Sequence, residues 1–140
     1  MSKKGEQALF RFDGYLISRS LIEIEKNKVK PNREFDITFN PSGIISDKDL
    51  NIDLDVSISN KDKSIIISIL MNGFFVFEKE IQKEVISGNL CANAIAIMFP
   101  YVRAYISNLS SLSGAGTVLL PTLNLSNLGD VLMNNIKEKE

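Results

Sequence analysis

The sequence predicts an α+β domain, with an antiparallel sheet in its first half and helices laid on one face of that sheet. Three observations carry this. The first half holds runs that alternate apolar and polar residues with a period of two, helical periodicity begins only after Lys79, and no strand–helix–strand alternation precedes it. Strands that wet one face and dry the other suit an antiparallel sheet better than a fully buried parallel one. At 140 residues the chain is the size of a single domain, residues 1–140, with 1–8 and 137–140 read as flexible tails.

The elements follow in order. Between Leu9 and Glu25, Phe10 and Phe12 alternate with Arg11 and Asp13, Gly14 interrupts, and Ile22 and Ile24 alternate with Glu23 and Glu25. Asn27–Arg33, with Pro31 inside it, is a loop. Phe35, Ile37 and Phe39 then alternate with Glu34, Asp36, Thr38 and Asn40, and Leu50 to Ile58 alternates with Asn51, Asp53, Asp55, Ser57 and Ser59. These are half-buried strands. Asn60-Lys61-Asp62-Lys63 makes a polar turn into Ile65–Phe77, a hairpin in which Asn72-Gly73 marks a bulge or bend.

The helical half begins with Leu90–Leu112. Ile95, Phe99, Val102, Ile106 and Leu109 form one apolar stripe, and Cys91, Met98, Tyr105 and Leu112, seven apart, form a second line. A helix that only covers its own sheet needs one stripe. Two imply a second partner, and for a chain this short the simplest is another copy of itself. Pro100 lacks the N–H of a helix interior and is expected to kink the helix or restart it. Gly114 and Gly116 end it. A short closing helix, Asn127–Asn135, carries Leu128, Val131, Leu132 and Met133.

Composition narrows the chemistry. There is no histidine, which removes the usual acid–base and zinc-binding side chain, and Cys91 is the only cysteine, which excludes an intrachain disulfide and a cysteine metal cluster. A net charge of −1 lacks the basic surplus of a nucleic-acid binder. No run of about eighteen apolar residues suggests membrane insertion. Met1–Gln7 lacks the apolar segment of a signal peptide. The expected compartment is the cytoplasm, and the expectation is a non-enzyme without metal or cofactor.

Candidate sites divide accordingly. Asp53 and Asp55, with Asp36, Glu23 and Glu25, read as the wet face of a sheet before a cation site or a docking surface. Cys91 has no basic neighbour in sequence to lower its pKa and reads as an inert buried thiol. Gly114-Ala115-Gly116-Thr117 lacks the lysine of a phosphate loop and follows a helix rather than opening one. Arg103 is the one charge in mid-helix, placed to pair with a carboxylate or cap a carbonyl. Val118, Leu119, Leu120, Leu123 and Leu125 put a large aliphatic payload into a connection. They either cover the core or keep an apolar surface accessible for binding.

The run Phe99-Pro100-Tyr101-Val102-Arg103, a helix end, then Leu119-Leu120-Pro121-Thr122-Leu123-Asn124 and a short terminal helix, resembles the second half of the export chaperone SecB. The strand ending Met71-Asn72-Gly73-Phe74-Phe75-Val76-Phe77 fits that family too. The resemblance implies a four-stranded antiparallel sheet with helices packed on one face. It also implies a homo-oligomeric dimer of dimers, a holdase without ATP or cofactor, and unfolded preproteins as clients passed to SecA. The client groove would use Val118, Leu119, Leu120, Leu123, Leu125, Leu128, Leu132 and Met133, beside the Asn27–Arg33 loop. The assembly line would be Cys91, Met98, Tyr105 and Leu112, and the SecA-docking face Glu23, Glu25, Asp53 and Asp55. Two acidic positions of the SecA-docking surface fall at Ser20 and Ser68, and the chain is near neutral where well-known SecB proteins are acidic. SecB-like proteins also serve toxin–antitoxin systems. A chaperone dedicated to one partner such as an antitoxin, or an interaction protein with closed grooves, are the alternatives.

Overall fold

The computed structural model describes residues 10–140; the tail expected over 1–8 lies outside them. Four long antiparallel strands come first: β1 Phe10–Ile24, β2 Phe35–Ser46, β3 Asp49–Asn60 and β4 Ile65–Phe77. A short 3₁₀ turn, Lys83–Val85, leads into α1 Gly88–Ser113, α2 Leu125–Asn134 and β5 Ile136–Glu138. The sheet order is β1-β4-β3-β2-β5. The expectation of four strands is therefore corrected to five. β5 pairs parallel to β2, Gly43 opposite Ile136 and Ile45 opposite Glu138, and Lys139 N donates to Ile45 O at 2.9 Å. The residues read as a tail from 137 onward are thus partly tied to the sheet. Buried Ile136 anchors a strand too short to show as periodicity.

The core lies between the sheet and α1. On β3, Leu50, Ile52, Leu54, Val56 and Ile58 are buried, and on β4 Ile65, Ile67, Ile69, Met71, Phe75 and Phe77. β4 departs from the expected wet face. Its outward residues Ile66, Leu70, Phe74 and Val76 are half-buried because the strand is central and its neighbours' side chains flank them. The bulge expected at Asn72-Gly73 is absent, and Gly73 has another reason. A Cβ there would meet Met98 Sδ of α1 at 2.8 Å, so the Met98 side chain occupies the space above the glycine. The irregularities fall in β1 instead, where the register shifts between Phe12 and Gly14 and between Ile17 and Arg19.

α1 runs unbroken through Pro100 rather than restarting there. Ser87 caps its start by accepting from Leu90 N, and Gly114 ends it at φ +88°. By length and composition α1 could cross a bilayer, but here its inner face packs on the sheet. α2 crosses α1 through Gly129, where a Cβ would lie 2.5 Å from Gly88 O and 2.8 Å from Ala92 N.

Which face of α1 does what is the main correction. Cys91, Ala94, Ile95, Met98, Val102 and Ile106 are all buried, so Cys91 and Met98 belong to the core and not to an assembly surface. At 100° per residue, the centres of the two lines lie only about 70° apart, so they merge into one broad band. Residues seven apart also drift by about 20° per heptad. The second line therefore leaves the sheet as it runs. Tyr105 is half-buried with its hydroxyl donating to Ser20 Oγ at 2.6 Å, and Leu112 is 87% exposed. The exposed large apolar positions of α1 are Ile97, Tyr101 and Leu112, and the Tyr101 ring lies 4.9 Å from that of exposed Tyr15 and 5.7 Å from that of Phe12, both of β1.

Candidate functional site

On its remaining flank α1 presents Ala96, Phe99, Pro100 and Arg103, spaced as one helical face. Opposite runs the connection Leu119–Leu125, and between the two lies a groove of about 560 Å³, lined also by Leu120, Pro121, Thr122 and Leu123. A second, shallower depression of about 300 Å³ adjoins it, sharing Pro100, Arg103 and Leu119. Pro100 denies the Ala96 carbonyl its donor four residues on, and both residues line the groove.

The connection is held at both ends. Val118 and Leu120 are buried anchors, and Leu119 between them is 62% exposed. Buried Ser110 Oγ donates to Ile106 O at 2.8 Å and accepts from Val118 N at 2.7 Å. Arg33 donates from Nη1 to Ala115 O at 2.7 Å and from Nη2 to Thr117 O at 3.0 Å, with its guanidinium 5.1 Å from the Phe35 ring centroid. Gly116 sits at φ +90° directly against that guanidinium, where a Cβ would come within 3.2 Å. At the far end, Asn124 caps α2 by accepting from Asn127 N.

The loop bearing Arg33 is fixed in turn by the β3–β4 turn. Asp62 accepts from Ser64 Oγ at 2.6 Å and from Asn32 N at 3.4 Å, and Lys28 Nζ lies 3.3 Å away. The Ser64 hydroxyl, ahead of its backbone N–H and Lys28, lowers the Asp62 pKa from 3.8 to about 2. Buried Asn60 donates to Asn32 O at 3.0 Å and to Ser64 Oγ at 2.8 Å.

The groove residues expected from sequence are divided by the structure. Leu119, Leu123 and Leu125 line it. Leu120 lines it while remaining almost wholly buried, and Val118, Leu128 and Leu132 are core residues. Met133 is half-buried against that core. The reading from sequence missed Ala96, Phe99, Pro100, Arg103, Pro121 and Thr122. For the four on α1 the signal was present as the 96, 99, 100, 103 spacing.

A second feature borders β2. Gly43 N donates to Asn135 O and Ile45 O accepts from Lys139 N, so the odd-numbered residues of β2 turn their backbone groups away from β3. Pro41 O receives Asn135 Nδ2 at 3.3 Å. Phe35, Ile37 and Phe39 then direct N–H and C=O groups to an edge that no described strand covers. Phe39 packs edge-on to Phe99 at the groove, 6.2 Å between ring centroids.

The outer face of the sheet holds the remaining candidates. Asp55 is paired with Arg19, whose Nε also donates to Ser68 Oγ at 2.9 Å, and Asp53 accepts from Asn72 Nδ2 at 2.7 Å. Glu23 and Glu25 are exposed. Ser20 and Ser68 point to opposite faces, since Ser20 meets Tyr105 on the helix side. Cys91 is buried, and desolvation, with the Asp130 charge second, raises its pKa from 9.0 to about 11. Among the described residues no three histidine, cysteine, aspartate or glutamate side chains gather as a metal site.

No family model matches the chain. An uncharacterized protein of Methanocaldococcus jannaschii is 33% identical over 81 residues, covering 54% of this chain and 51% of that protein. The chain thus spans about half the length of this relative. Among solved structures, the SecB-like chaperone Rv1957 of Mycobacterium tuberculosis, in complex with a ChAD peptide from the HigA1 antitoxin, superposes with a TM-score of 0.69 at 12% identity, covering 82% of this chain and 88% of that one. The chain has a SecB-like fold. A Streptococcus agalactiae protein of unknown function is more distant, with a TM-score of 0.52 at 12% identity over 83% of this chain and 99% of that one. At such identities the likeness is one of fold, and the SecB-like frame places the α1 flank and the 119–125 connection side by side.

Proposed function

We propose that this protein is an ATP-independent chaperone of the cytoplasm that holds extended, non-native polypeptide without catalysing a reaction. The observation that carries this is the open apolar groove between α1 and the Leu119–Leu125 connection, beside the uncovered edge of β2. A client lying there would bury apolar side chains at about 25 cal/mol per Å² and pair its backbone with Phe35, Ile37 and Phe39. Backbone pairing is indifferent to side-chain identity, which suits a binder of many sequences. Self-association, as a dimer of dimers, would use Ile97, Tyr101 and Leu112 of α1 with Tyr15 of β1.

In an export role the recipient would be SecA, docking on the outer face around Glu23, Glu25 and Asp53. The pairing of Asp55 with Arg19 weakens the acidic character of that face. A second reading, service to one dedicated partner such as an antitoxin, is supported by the peptide complex of the Mycobacterium chaperone that shares the fold.

Light scattering of the protein with a slow-folding client, unfolded or folded, tests the proposal. An oligomer that gains the unfolded client alone supports a holdase. One that ignores unfolded chains sinks the general-chaperone reading.

A further inference from the structure

Arg103 is the only charged residue lining either the groove or the adjoining depression, and it lines both. Its guanidinium makes no hydrogen bond or ion pair with any described residue. The other groove-lining residues are aliphatic, aromatic, proline or hydroxyl-bearing, so nothing along the groove neutralises it. Exposed on a largely apolar wall and, among the described residues, unpaired, it presents five donors in a planar fork suited to a carboxylate. Because it lines both depressions, a chain lying along them would cross it in mid-segment and meet it with a side chain rather than a terminus.

We infer that the groove selects extended segments in which an aspartate or glutamate is flanked by apolar residues, with Arg103 as the specificity-determining contact. This rests on the polypeptide-binding reading above and narrows its client class. The carboxylate would sit against the Arg103 fork while the flanking side chains enter the spaces beside Phe99 and Leu119. The partly apolar surroundings strengthen such a pair relative to one in open solvent.

The test is fluorescence anisotropy with two labelled apolar peptides that differ only in a central glutamate or glutamine. They are titrated with the full chain, Arg103→Gln, Arg103→Lys, and Lys48→Gln as a control for net charge, since Lys48 lies at the exposed β2–β3 turn. At low ionic strength the native chain is expected to prefer the glutamate peptide by about two- to fivefold, within the range of exposed ion pairs. The preference should vanish in Arg103→Gln, persist in reduced form in Arg103→Lys, remain in Lys48→Gln, and shrink in about 0.5 M salt. Equal binding of both peptides by the native chain, or a preference kept in Arg103→Gln, overturns the inference while leaving polypeptide binding intact. Failure of the native chain to bind either peptide overturns the groove reading itself.

Discussion

Gly129→Ala sets two effects of opposite sign against each other. In mid-α2, replacing glycine by alanine favours the helix by about 1 kcal/mol. Against this, the new Cβ would lie 2.5 Å from Gly88 O, 2.8 Å from Ala92 N and 2.9 Å from Ala92 Cβ. Two of these three are backbone atoms of α1, which no rotamer change can move. Restoring ordinary contact at about 3.4 Å requires the helices to part by nearly an ångström, and overpacking of this kind costs about 1–3 kcal/mol. Buried Leu128 and Leu132 flank the crossing and lose dispersion contacts as it opens, which puts the cost at the upper end. The expected net loss is about 1–2 kcal/mol, or about 3–8 °C in Tm for a domain of this size. Urea unfolding followed by circular dichroism measures it, with Ser126→Ala, an exposed α2 position, as a near-neutral reference. A Gly129→Ala protein as stable as the native chain would refute the close crossing of α1 and α2.

Met98→Glu should unfold the protomer, because a buried unpaired charge costs several kcal/mol, whereas Tyr101→Glu should keep the melting transition and reduce the mass in solution; thermal melts and light scattering separate the two, and the reverse pattern would invert the faces of α1. Removing the Arg33 fork by Arg33→Ala should cost about 1–2 kcal/mol, allowing for its exposure, and speed amide exchange over 115–118; unchanged exchange there would show that the Ser110 anchor suffices. Burial holds the folded Cys91 thiol above its unfolded pKa, so its contribution is complete below pH 9 and is lost as pH rises toward about 11. Cys91→Ala should flatten that alkaline limb of stability, and a native thiol that reacts as fast at pH 8 as the urea-unfolded one would contradict the burial.

β2 and β3 were legible because each carries a period of two, β1 because it carries one on either side of Gly14, β4 as the apolar run after a polar turn, and α1 because its apolar residues recur every three or four positions. β5 was not, since three residues carry no period and their pairing depends on where α2 delivers the chain. The groove was half legible. The aliphatic payload of the connection could be read, but which leucines face inward could not, because an irregular segment has no periodicity to assign faces. Anchors such as Val118 are set by remote partners, here Ser110 at its backbone N–H and Arg33 at the neighbouring carbonyls.

Through the resemblance of its Phe99–Asn124 motif run the sequence implied the SecB-like fold. By itself it determined an α+β class with four long strands ahead of the helices and a chemistry with neither histidine nor cysteine cluster. Those are local or compositional properties, written in spacing and residue type. Only the tertiary structure decided which side of α1 meets the sheet, that Met98 fills the space left by Gly73, and that Arg103 is the one charge among the described residues lining the groove. Apolar periodicity reports that a face is to be covered without naming what covers it. The partner is chosen by contacts between residues far apart in the chain.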